Sequence, residues 1–138
     1  MSGGWAKSLI KLSTYEVETH QKRLAEIGER RMAAEMKLAM LTAQGEAETD
    51  ACDRTPGAIA QLLAYLEALK TRKAEVQQQI LHILEEERGA RDALAQAFEE
   101  QKKYEHVAEQ MRLSDLKKQG RIDSAAMDEL GLTRANGR

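Results

Sequence analysis

This sequence is poor in the residues that build thick cores and sharp corners. Its 138 residues hold one proline, Pro56, one cysteine, Cys52, and five aromatics: Trp5, Tyr15, Tyr65, Phe98 and Tyr104. Valine and isoleucine together number nine. So few β-branched and aromatic side chains argue against a sizeable sheet. They argue equally against a cavity walled by bulky groups, the usual enclosure of an enzyme site. A single cysteine excludes an internal disulfide framework and fits a reducing compartment. No run approaches the roughly 18 apolar residues of a membrane span, and the first residues lack the apolar stretch of a secretory signal. Net charge is small, with 21 basic side chains against 23 acidic, so no nucleic-acid partner is expected. These absences imply one soluble, cytoplasmic domain.

Ala, Glu, Lys, Leu and Arg supply 75 of the 138 residues, the composition of long helices and coiled coils. Two segments carry a seven-residue apolar repeat. The first steps through Ile10, Ser13, Val17, His20, Leu24, Ile27, Arg31, Ala34, Leu38 and Leu41. The second steps through Ile59, Leu62, Leu66, Leu69, Lys73, Val76, Ile80, Ile83, Glu87, Ala90, Leu94, Ala97, Gln101, Tyr104, Ala108 and Met111. A heptad repeat held this long requires a partner helix. Glu-to-basic pairs at i,i+4 add support: Glu18–Lys22, Glu26–Arg30, Glu87–Arg91 and Glu99–Lys103.

Only the stretch 44–57 interrupts the pattern. It holds Gly45 as a helix stop, and Thr55 before Pro56 as an N-cap with proline at the first helical position. The expected fold is therefore all-α: a long antiparallel two-helix coiled-coil hairpin with a short C-terminal helix. Its helices cover about 7–48 and 56–118, with a turn at 49–55 and a tail at 119–138. Lys117, Lys118 and Gly120 close the long helix. Asp123 or Ser124 then opens the short one, which Gly131 ends. The arms measure roughly 60 and 90 Å at 1.5 Å per residue. Folding back about residue 52, the second arm outruns the first after about Phe98.

No catalytic, cofactor or metal constellation emerges. His20, His82 and His106 are far apart, and His20 reads as a polar layer that sets register. Cys52 has no neighbouring His or Lys pair to activate it. Glu85, Glu86 and Glu87 read as a solvated run, and no glycine-rich phosphate loop occurs. The chain is not expected to be an enzyme. Partner surfaces are the stronger signal. Ile59, Leu62, Leu63, Tyr65, Leu66 and Leu69 cover two adjacent helix faces where a hairpin seam needs one. Either part of that surface meets a partner, or the core is locally wide and takes in Met32, Met36 and Met40. Charge is also segregated: residues 85–110 hold eight acidic and four basic side chains, and 111–122 hold four basic and one acidic. Lys7 and Lys11 join this basic end, which would steer docking to an acidic partner.

The opening of the second helix, Leu62, Leu63, Leu66, Glu67 and Leu69, and the ending Arg121-Ile122-Asp123-Ser124-Ala125-Ala126-Met127-Asp128-Glu129-Leu130 resemble the FliJ group of flagellar type III export proteins. The YscO-like proteins of injectisomes stand beside that group. The resemblance implies a cytoplasmic, non-enzymatic component, peripheral to the inner-membrane export apparatus through its partners. In the family, a hairpin similar to the stalk of a rotary ATPase links a hexameric export ATPase ring to the export gate's cytosolic domain, and assists substrate and chaperone handling. Carried over, the gate contact is Leu62, Leu66, Leu69 and Lys73, where Lys73 replaces an expected imidazole or amide. The ring contact is the basic end: Lys7, Lys11, Arg112, Lys117, Lys118 and Arg121. The family reading exposes Leu62, Leu66 and Leu69 and buries Leu63, whereas the heptads place the first three in the seam; partial exposure is expected. A self-associating structural scaffold, joined through the overhang, is the alternative.

Overall fold

The computed structural model describes residues 4–136. They form two helices, α1 (Gly4–Asp53) and α2 (Ile59–Asn136), joined by residues 54–58. No strand occurs among the described residues. The chain divides into two compact units, one of residues 19–94 and the other of residues up to Glu18 together with those from Ala95 onward.

In the 19–94 unit the helices pair antiparallel through two apolar clusters. Buried Leu41 joins Leu69 and Val76, with Leu38, Tyr65, Leu66 and Ile80 packed around them. Buried Ile27 joins Ile83 and Ala90, backed by Leu24 and Ala34. Each α1 residue is thus grouped with two α2 residues seven apart, which is heptad packing between opposed stripes. Every heptad position of this unit is buried or half-buried except Ile59, which is 66% exposed. The polar heptad positions pair with one another. Glu87 is 5% exposed and accepts hydrogen bonds from Arg31 Nε at 2.8 Å and from Arg91. Arg31 also donates to Glu35. Glu35 and Glu87 together hold the Arg31 guanidinium above its ordinary pKa. A carboxylate this buried demands such partners, so the pair fixes register more than it adds stability. At the seam's edge Arg30 donates to Glu86 at 2.8 Å, and His82 lies 3.5 Å from the same carboxylate.

The other unit is built on small side chains. Ala6, Ser13, Val17 and Ala97 are buried, and Trp5 and Leu9 of α1 share an apolar groove with Tyr104 and Val107 of α2. Gln101 Nε2 donates to Thr14 Oγ1 at 3.0 Å. Half-burial on α2 continues to Met111, and residues 112–135 are exposed. The unpaired stretch of α2 therefore starts after Met111, not after Phe98.

Three expectations are corrected by glycines. Gly45 does not stop α1: it is buried inside the helix, where a Cβ would stand 2.7 Å from Leu69 Cδ2. The missing side chain makes room for Leu69, and α1 runs on to Asp53. The fold-back consequently falls at 54–58, and this later turn explains the longer overlap. Gly57 supplies the corner, with the one positive φ among the described residues, +81°. A left-handed backbone there breaks any helix begun at Pro56. Thr55 is not an N-cap; its N–H donates to the Cys52 carbonyl. The first α2 turn instead closes from Leu62 N–H to the Ala58 carbonyl at 3.0 Å.

Gly120 and Gly131 do not stop α2 either, and no separate C-terminal helix forms. Each costs about 1 kcal/mol relative to alanine, which the helix formers around them offset. Gln119 Nε2 donates to Asp123 Oδ1 at 3.0 Å across Gly120, so Asp123 braces a helix interior where a cap was expected.

The Arg30–Glu86 pair has a definite pH signature. Hydrogen bonding and charge from Arg30 hold the Glu86 carboxylate below its ordinary value of 4.5. A depressed carboxylate contributes stability above its unfolded pKa and loses it as pH falls through the folded value. The stability gap between wild type and Arg30→Gln, read by urea unfolding, should be full at pH 7 and shrink below about pH 4.5. A gap that stays constant down to pH 3 would assign no role to the ion pair.

Candidate partner-binding surfaces

Among the described residues no three His, Cys, Asp or Glu side chains converge as a metal site, and no helix is long and apolar enough to cross a membrane. The open grooves lie between helices that meet along a single seam. The chemistry available is recognition by apolar stripes and fixed charges.

The four residues expected at the gate contact are not presented together. Leu66, Leu69 and Lys73 line one groove of about 420 Å³, with Gly45, Glu46 and Asp50 of α1 across it. Leu62 lines a different groove with Tyr65, Cys52 and Ala58. Leu62, Leu66 and Lys73 are half-buried, which agrees with partial exposure. Leu69, at 3%, is core. Leu63 is the opposite of the family expectation: it is 62% exposed, as is Ile59 beside it at 66%. The reason is geometric. Heptad spacing turns Leu62, Leu66 and Leu69 toward α1 and leaves Leu63 flanking the seam.

All six residues of the basic end are exposed and lie in one unit. At 100° per residue Lys117, Lys118 and Arg121 share one face of α2, while Arg112 falls on the far side. Arg112 is committed to Glu109, through two hydrogen bonds of 3.0 and 2.6 Å. That pairing raises the guanidinium's pKa and lowers the carboxylate's. The available cationic face is therefore Lys117, Lys118 and Arg121.

One apolar stripe escaped sequence reasoning, and a second, named there as the alternative of a wider core, lies on the surface. On the continuous end of α2, Leu113, Leu116, Met127 and Leu130 are 48–69% exposed and fall within about 100° of one another. Reading Gly120 as a stop hid this alignment, because it split the stripe between two helices. On α1, Met32, Met36 and Met40 are 58%, 65% and 61% exposed. They do not widen the core; they face away from it.

Burial separates the leucines energetically. Leu69→Ala should destabilise by about 2–4 kcal/mol, the range for a fully buried leucine. Leu63→Ala should change unfolding free energy by less than about 0.5 kcal/mol. Equal losses in denaturant titration would contradict the placement of Leu69 in the core.

Comparison with known proteins adds a relationship that geometry alone cannot supply. The flagellar FliJ protein of Caulobacter vibrioides, recorded for strains NA1000 / CB15N and ATCC 19089 / CIP 103742 / CB 15, is 52% identical to this chain over 131 residues. The alignment covers 95% of this chain and 94% of that protein. No family model matches the chain, and no solved structure matches it.

Proposed function

The chain belongs to the FliJ family of flagellar proteins, and from that premise we propose that it is a non-enzymatic component of the flagellar type III export apparatus. It acts by binding: a coiled coil that links the hexameric export ATPase to the cytosolic domain of the export gate. The observation that carries this reading is the 52% identity across 95% of the chain. Helical pairing, exposed apolar stripes and a segregated cationic face support it, since each suits protein recognition better than turnover.

Within this proposal Leu62, Leu66 and Lys73 contact the gate from the half-buried rim of α2, and Leu69 holds them from beneath. Lys7, Lys11, Lys117, Lys118 and Arg121 face the ATPase ring, with Arg112 positioned by Glu109. Lysines at full exposure contribute mainly long-range attraction and association rate, so this contact weakens with salt. Export chaperones and substrates are further partners, and the site of action is the cytoplasmic face of the inner membrane, reached through the ring and gate.

Two measurements test the two contacts separately. Leu62→Asp should keep the helical circular dichroism of wild type and raise Kd for the gate's cytosolic domain at least tenfold, the loss expected when one anchor of an interface is removed. Wild-type affinity would remove Leu62 from the contact. Reversing charge at Lys117 and Lys118 to Glu should weaken ring association and flatten its salt dependence; an unchanged, salt-insensitive affinity would refute the cationic contact.

A further inference from the structure

The groove that holds Leu66, Leu69 and Lys73 has walls of opposite charge. Its α1 wall carries Glu46 and Asp50, and its α2 wall carries Lys70 and Lys73. Its floor is Leu66 and Leu69, packed on the bare backbone of Gly45. Spacings of four and three residues set each charged pair on one face of its helix. None of the four takes part in an ion pair or side-chain hydrogen bond with a described residue.

That arrangement does not serve the hairpin alone. Like charges at i,i+3 or i,i+4 destabilise the helix that carries them, and each wall holds such a pair without a counter-charge. Lys73 is half-buried at a heptad position, where an apolar residue would pack better against α1. Arg31 and Glu87, charged heptad residues further along the seam, meet at 2.8 Å; Lys73 has no such match. Thr42 and Thr49 on the α1 wall donate their hydroxyls to the Leu38 and Gly45 carbonyls at 3.1 and 2.8 Å. They leave the four charges unanswered.

Two unpaired acids facing two unpaired bases across an apolar floor define what fits between them. The occupant presents bases to α1, acids to α2, and an apolar ridge to the floor. A helix does this when the e and g flanks of its heptads differ in sign. The trough between two paired helices has the shape that receives such a ridge.

We propose that this groove docks a third helix, whose apolar ridge is flanked by acidic side chains on one side and basic side chains on the other. Charge also sets its direction. Turning that helix end for end keeps the ridge in the groove but exchanges the flanks, which brings like charges together. The groove is the one assigned above to the gate, and naming the gate as its occupant rests on that reading; the occupant's chemistry rests on the four charges. The charged pairs span about two helical turns, so the contact is weak. Exposed charges give it selectivity and direction more than strength.

Three synthetic helical peptides of about 21 residues test this against the full-length chain by fluorescence anisotropy at low salt. All share an alanine ridge with one leucine, which keeps them monomeric; their flanks are Glu/Lys, Glu/Glu or Lys/Lys. The mixed peptide should bind wild type at least tenfold tighter than either single-signed peptide. Glu46→Lys with Asp50→Lys should move the preference to the Glu/Glu peptide, and Lys70→Glu with Lys73→Glu to the Lys/Lys peptide. Lys117→Glu with Lys118→Glu should leave the mixed peptide's Kd within about twofold of wild type. Circular dichroism checks the fold of each variant, and Lys70→Gln with Lys73→Gln, which adds no new charge, should weaken the mixed peptide in place of a misfolded reversal. Should Leu62→Asp bind the gate domain normally while these preferences hold, the helix site stands and the gate is not its occupant. Equal binding of the three peptides, preferences that the wall reversals do not move, or selectivity lost on changing Lys117 and Lys118 overturns the proposal.

Discussion

Two helices lying side by side can bury one stripe each and no more. That limit governs the rest of this structure. About two residues per heptad go to the seam, and everything else on either helix meets water unless a third element arrives. A chain whose described residues form two helices therefore leaves a second apolar stripe on their surface. In the 19–94 unit the seam takes Leu41, Leu69, Val76, Ile27, Ile83 and Ala90. The methionines of α1 and the flanking leucines of α2 then have nowhere else to go. Their exposure follows from the geometry of the pair and is not an accident of side-chain placement.

A seam made only of leucine and alanine would also slide. Apolar heptads are interchangeable, and a shift by one repeat leaves every pair apolar. Arg31 and Glu87 remove that freedom, because a 5% exposed carboxylate must find its guanidinium. Gly45 acts to the same end by shape, since the next heptad position on either side would set a side chain against Leu69. Between them, a charge pair and a missing Cβ choose one register. That register fixes where the turn falls and which α2 residues face α1.

Periodicity was legible and punctuation was not. All but Ile59 of the heptad positions read from the sequence are buried or half-buried, because a repeat sums many weak preferences and tolerates a polar residue. Helix ends rest on single residues, where a local preference of about 1 kcal/mol is easily outweighed. Gly45 and Gly120 carry the residue type of a stop and lie inside helices; among the described residues Gly57 alone has the left-handed backbone of a corner. The sequence shows the glycine and not its φ, which tertiary packing decides. Of the candidate site residues, the exposed basic set was readable from charge alone. The leucine patch was not: Leu62 and Leu63 are adjacent and chemically identical, and only the register tells which one packs.

The same constraint gives meaning to the two stripes that the seam leaves out. Leu113, Leu116, Met127 and Leu130 align only because α2 continues through Gly120. Lys117, Lys118 and Arg121 occupy another face of the same turns, so an apolar contact and a cationic one are offered by one helix. A partner that buries the first while matching the second gains affinity from area and selectivity from charge. The methionine stripe lacks a comparable cationic flank and instead carries one acid and one base, Glu35 and Lys37, on either side of its centre. Strongly one-signed surfaces repel their own copies. The basic end of α2 is thus suited to an acidic surface unlike itself.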